Sequence, residues 1–118
     1  MVRIKFRKYH ALGNGYMEQY KIDFESMEWQ SPQTGVRFKT FEQNGRKMRL
    51  VEYTKEFIEK DWCTKGHIGY LLEGQMEINF DGKVITLGQG DGVFIPAGKK
   101  HKAKVLTDTA KAILVEDV

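Results

Sequence analysis

Residues 87–101 read LGQGDGVFIPAGKKH, and the fold turns on this stretch. Gly88, Gly90 and Gly92 alternate around Asp91, a pattern that asks for a tight turn with positive φ. Val93, Phe94 and Ile95 form a short run of strand formers. Pro96 removes a backbone donor and ends or edges that strand. Ala97 and Gly98 turn the chain, and His101 opens the next strand. A strand held between two glycine turns therefore delivers one histidine to a fixed place.

Outward from this stretch, apolar positions recur every two residues rather than every 3.6. Segment 1–9 alternates Val2, Ile4 and Phe6 against Arg3, Lys5 and Arg7, so it reads as a strand. Segment 10–16 is a loop and 17–24 a weaker strand. Segment 25–35 is a loop, with one helical turn as an option over 25–29. Segment 36–41 alternates cleanly, and Asn44-Gly45 is the strongest short hairpin signal in the chain, with 47–53 as the returning strand. Segment 56–62 stays open between a short strand and an irregular connection. Strands follow over 66–72, 75–80 and 83–87, with turns at Glu73-Gly74 and Asp81-Gly82. Segments 93–95, 101–106 and 110–115 complete the set. About ten short strands without a useful helix describe a sandwich or barrel. With 118 residues, no repeat and no linker, the chain is one domain over 1–118.

Hydrophobic residues make up 41% and charged residues 30% of the chain, the composition of a soluble globular domain. No apolar run approaches the ~20 residues of a membrane span, and the basic start has no apolar stretch behind it to make a secretory signal. A single cysteine makes no internal disulfide and agrees with the cytoplasm. A net charge of +3 gives weak phosphate steering, so nucleic acid is not an expected partner.

The order G-D-x-x-x-I-P-A-G-x-x-H over 90–101 resembles the second conserved motif of the cupin superfamily, and HIGYLLEG at 67–74 resembles part of the first. The resemblance implies an all-β cupin jelly-roll barrel of two antiparallel sheets. It also implies a metal held by two histidines and a glutamate from the first motif and one histidine from the second. His101 falls on the second-motif histidine and His67 on the first-motif glutamate. The two upstream histidines are absent. With a loop one residue shorter than the commonest spacing, Asp61 and Cys63 take their places; otherwise Lys60 and Trp62 do, and no upstream ligand exists. The first alignment gives Asp61, Cys63, His67 and His101, a donor set suited to a divalent metal such as zinc, iron, nickel or manganese. Small cupins commonly pair through amino-terminal strands, so a homodimer is expected through 1–9.

Each residue also has a plainer reading. His101 could close its own turn by hydrogen bonding, His67 could be a satisfied core histidine, and Cys63 a small buried hydrophobe. Asp61 could be a loop residue. Trp62, Tyr70, Leu71 and Phe94 are the candidates to line a ligand cavity, or else plain core. Alternation places His67, Gly69 and Leu71 on one face, with Gly69 leaving space in any cavity there. Glu52, Glu56 and Glu77 are candidate bases without distinguishing context. The leading expectation is a cupin that binds a small molecule, with a divalent metal in the barrel interior. The alternatives are a metal-dependent enzyme of the dioxygenase or sugar-isomerase type, and a barrel that serves only for dimerisation.

Overall fold

A computed structural model describes residues 19–118. It contains nine strands among these residues: β1 (Gln30–Gln33), β2 (Val36–Gln43), β3 (Arg46–Thr54), β4 (His67–Glu73), β5 (Met76–Asn79), β6 (Val84–Leu87), β7 (Gly92–Ile95), β8 (Lys102–Val105) and β9 (Thr109–Asp117). They form a six-stranded sheet in the order β1-β2-β3-β9-β4-β7 and a three-stranded sheet in the order β6-β5-β8. Every pairing is antiparallel. The expected jelly-roll barrel of two antiparallel sheets is the observed architecture. Among the described residues no helix is long and apolar enough to cross a membrane.

The two hairpins form where the turn dipeptides stand. Asn44 and Gly45 have φ of 54° and 78°, the doubly left-handed turn whose twist matches the flanking strands. Asp81 and Gly82 repeat this at 61° and 110°, and Asn79 Oδ1 accepts from both of their backbone amides. Two assignments differ, and a third cannot be compared. Segment 30–33, expected as loop, pairs with β2 as an edge strand that tolerates Pro32. Segment 19–24 forms no strand and leads into a short 3₁₀ turn, Phe24–Ser26. The expected strand and dimer contact over 1–9 lie outside the described residues.

The core closes the barrel by joining both sheets. Leu71, Ile95, Ala110 and Ala112 face Met76, Ile78, Leu87 and Val105, all buried. Burying each of the larger side chains contributes roughly 1.5–3 kcal/mol. On β4 the inward residues are Gly69 and Leu71, while Ile68 and Tyr70 are each 48% exposed. The inward row of β9 runs Ala110, Ala112, Leu114, Glu116, so a carboxylate ends an otherwise apolar row. That end of the barrel carries the polar interior.

Candidate metal centre

His67 opens β4 and projects inward, paired across to Ile95 of β7. His101 lies just before β8 and is almost fully buried, at 3% exposure. The 55–66 connection carries no strand, yet it returns to the barrel beside the histidines. Cys63 and His101 exchange both backbone hydrogen bonds, N to O at 2.9 Å in each direction. Gly98 N also donates to Thr64 O at 2.8 Å. This isolated bridge brings Cys63 against the two histidines. One ligand atom from each of Cys63, His67 and His101 lies within 4.8 Å of the others.

The hydrogen bonds around the cluster decide which atoms are free. His101 Nδ1 lies 2.8 Å from Lys99 O. A carbonyl only accepts, so Nδ1 carries the proton and Nε2 keeps its lone pair. His67 Nδ1 is in contact with Glu116 Oε2, and His67 Nε2 lies 3.8 Å from Cys63 Sγ. The rings of His67 and His101 meet edge to face, with centroids 5.2 Å apart. Two imidazole nitrogens and a thiol thus converge, each histidine turned by a partner on its far nitrogen. This is the arrangement in which a carboxylate or carbonyl behind the ring orients a metal-binding histidine. Zinc bound to sulfur and nitrogen holds such donors about 3.3–3.6 Å apart, so the 3.8 Å between Cys63 Sγ and His67 Nε2 fits a shared ion after a small contraction.

Glu116 is the residue the sequence reading missed. Burial alone would raise its carboxyl, but hydrogen bonds from His67 and Arg49, and their charges, outweigh it and hold the group at about 2. Arg49 Nη2 donates to Glu116 Oε2 at 2.8 Å and Lys47 Nζ lies 3.5 Å from Oε1. The available signal was the parity of the last strand, which puts residue 116 on the inward row. The register that places it behind His67, with Ile68 opposite Val115, is not visible in one sequence.

Beside the cluster lies a cavity of about 280 Å³. Phe38, Val51, Leu71, Met76 and Ile78 give it apolar walls, and Arg49, Glu59 and Lys65 reach it as charged groups. Tyr53 also lines it, its phenol pushed up to about 12 by burial and therefore protonated. Leu71 and Tyr70 border the cavity, Tyr70 only from the half-exposed rim. Phe94 does not. It is 71% exposed, because the pairing of His67 with Ile95 turns residues 93 and 95 inward and 94 outward. Asp61 is exposed and outside the Cys63–His67–His101 group. Trp62 stands on the outside under Lys100 and Lys102, whose amines lie 5.0 and 4.8 Å from its ring. Gly69 leaves no space: a Cβ there would meet Leu114 Cδ2 at 2.8 Å, so the glycine admits that leucine to the wall. Glu52 pairs with Arg37 and Lys111 and does not border this cavity. Glu77 faces away from the core between inward Met76 and Ile78, and Glu56 is exposed. Glu59 is the carboxylate that lines the chamber, its Oε1 accepting from Ala103 N at 2.7 Å.

A family model described as a cupin domain matches residues 64–116, a span that holds His67, His101 and Glu116 and begins just after Cys63. No curated protein matches the sequence. Among solved structures, the chain is similar to KdgF from Halomonas sp., at 20% identity and a TM-score of 0.73 over 86% of this chain and 94% of that one. It is similar to the polyketide cyclase RemF from Streptomyces resistomycificus, at 16% identity and 0.68 over 85% and 80%. A cupin-2 domain containing protein from Shewanella frigidimarina matches at 26% identity and 0.57 over 69% and 79%.

Proposed function

Because the chain belongs to the cupin superfamily, we propose that it binds a divalent transition metal through Cys63 Sγ, His67 Nε2 and His101 Nε2, and a small molecule in the chamber beside it. One observation carries this reading: both histidines turn Nδ1 towards an acceptor, Glu116 Oε2 and Lys99 O, which leaves both Nε2 atoms for the side of the thiol. A core histidine pair with no ligand to hold has no need of that convergence. The thiolate tilts the donor set towards zinc or iron and away from manganese. A bound ion with three protein donors would supply a Lewis acid with a position open to the ligand.

The chain's own residues do the rest. Glu116 fixes the tautomer and the ring angle of His67, and its charge raises that ring's basicity as a donor. The Cys63–His101 backbone bridge keeps thiol and imidazole side by side without using either side chain. Val51, Leu71 and Met76 exclude water from the wall facing the cluster. Elemental analysis of full chain purified without chelator tests the reading, with about one equivalent of zinc or iron per chain expected. Protein that stays metal-free after incubation with zinc salt would rule it out and leave the barrel as a non-metal module.

A further inference from the structure

We propose that the small molecule taken into the chamber is an organic acid with an apolar body, its carboxylate received by the Arg49 guanidinium. The inference rests on the chamber being the ligand site proposed above, and it adds the ligand's chemical class.

The Glu116 carboxylate is shared among several donors, which leaves Arg49 available to a guest. Glu116 is one carboxylate, yet it faces Arg49 at 2.8 Å, Lys47 at 3.5 Å and the His67 ring. Of these cations only Arg49 lines the chamber, and one carboxylate shared with Lys47 and His67 leaves its guanidinium partly engaged there. Charge in such a water-poor place is costly unless something pairs with it. Arg49 also has donors to spare. Its Nη2 serves Glu116, while its Nε is buried and makes no hydrogen bond among the described residues. The guanidinium stacks near Phe38, with Cζ 5.2 Å from the ring centre, so its plane is steadied and it borders the cavity. A planar fork with free donors recognises a carboxylate better than any neutral group.

The surroundings agree. Lys65 and Glu59 both line the same chamber and offset one another in charge, so among the described residues no second lining carboxylate is left for Arg49. The remaining walls are apolar, so only the acid group of the guest is held by charge and its body must be hydrophobic.

Benzoate and its neutral isostere benzamide are suitable probes, titrated calorimetrically into the full chain before and after dialysis against a chelator. Metal content is measured on the same samples. Benzoate is expected to bind about tenfold or more tightly than benzamide in both samples. In Arg49→Gln that preference falls to less than about threefold. Because Arg49 also supports Glu116, Arg49→Lys is measured beside it: it keeps the charge opposite Glu116 but removes the fork, and the preference drops by more than about threefold there as well. Equal affinity for the two probes, binding of neither, or a preference that survives both substitutions would overturn the proposal. So would a preference that vanishes on chelation alone, since the acid would then sit on the ion. A chain that holds no metal but prefers benzoate through Arg49 would remove the metal reading and leave this one standing.

Discussion

Two segments meet at the Cys63–His67–His101 cluster, and they are held in opposite ways. Residues 87–101 are held locally. Asp91 Oδ2 accepts from Gly88 N at 2.7 Å, Gly90 and Gly98 each adopt a φ of 91°, and His101 Nδ1 binds a carbonyl two residues away. Residues 55–66 have little of this. They contain no strand, and their attachment near the cluster comes from contacts across the barrel, chiefly the Cys63–His101 bridge. The first segment builds its own geometry, and the second borrows geometry from the first. A donor on the self-built segment should therefore dominate affinity, and a donor on the borrowed one should be adjustable.

The severest break is His101→Ala, which removes a donor and leaves a hole at a site 3% exposed. Zinc affinity should fall about a hundredfold or more, roughly 2.7 kcal/mol, as read by competition with a chromophoric chelator. Glu116→Gln tests the support behind the other histidine and should cost about 10–100-fold in the same assay. It also has a signature in pH. The Glu116 carboxyl titrates at about 2 in the folded chain against 4.5 for the free group. A depressed folded value means the stabilisation is complete above 4.5 and drains away as pH falls towards 2, on the order of 3 kcal/mol in all. Melting curves of metal-free protein between these values should flatten in Glu116→Gln; an unchanged slope would mean that Glu116 is not the group responsible.

Cys63→Ser sharpens the contrast, because the bridge that holds residue 63 uses backbone atoms alone. The fold should survive with an unchanged far-ultraviolet spectrum while zinc binding weakens about tenfold, near 1.4 kcal/mol. Asp61→Ala should do least, less than about twofold in affinity, since this carboxylate is exposed and outside the cluster. A tenfold loss there would show that the 55–66 connection closes further over the ion than its contacts indicate.

The same contrast explains what a reader of the sequence could see. Strand alternation and the two glycine hairpins are local signals, and they yield the barrel. His101 and His67 were legible through motifs whose spacing is itself local. Cys63 stayed one of two alignments, because a connection without periodicity has no internal ruler. Glu116 and Arg49 were invisible for another reason. Each sits on an ordinary alternating strand, and only the register Arg49 opposite Leu114 and Ile68 opposite Val115 brings them to His67. Phe94 shows the limit of alternation itself. Val93, Phe94 and Ile95 are all apolar, so the pattern names a strand without saying which side of it faces in.

The placement of the two tryptophans has a practical consequence. Trp29 lies far along the chain from the cluster, stacked with Arg37 at 4.1 Å and Lys39 at 4.6 Å on the outer side of β2. Trp62 is the immediate neighbour of Cys63 and is clasped by Lys100 and Lys102, which flank His101. One indole is thus a reference lamp away from the site, and the other sits beside the doorway. Emission from a single cuvette can report events at the mouth of the barrel without any attached dye.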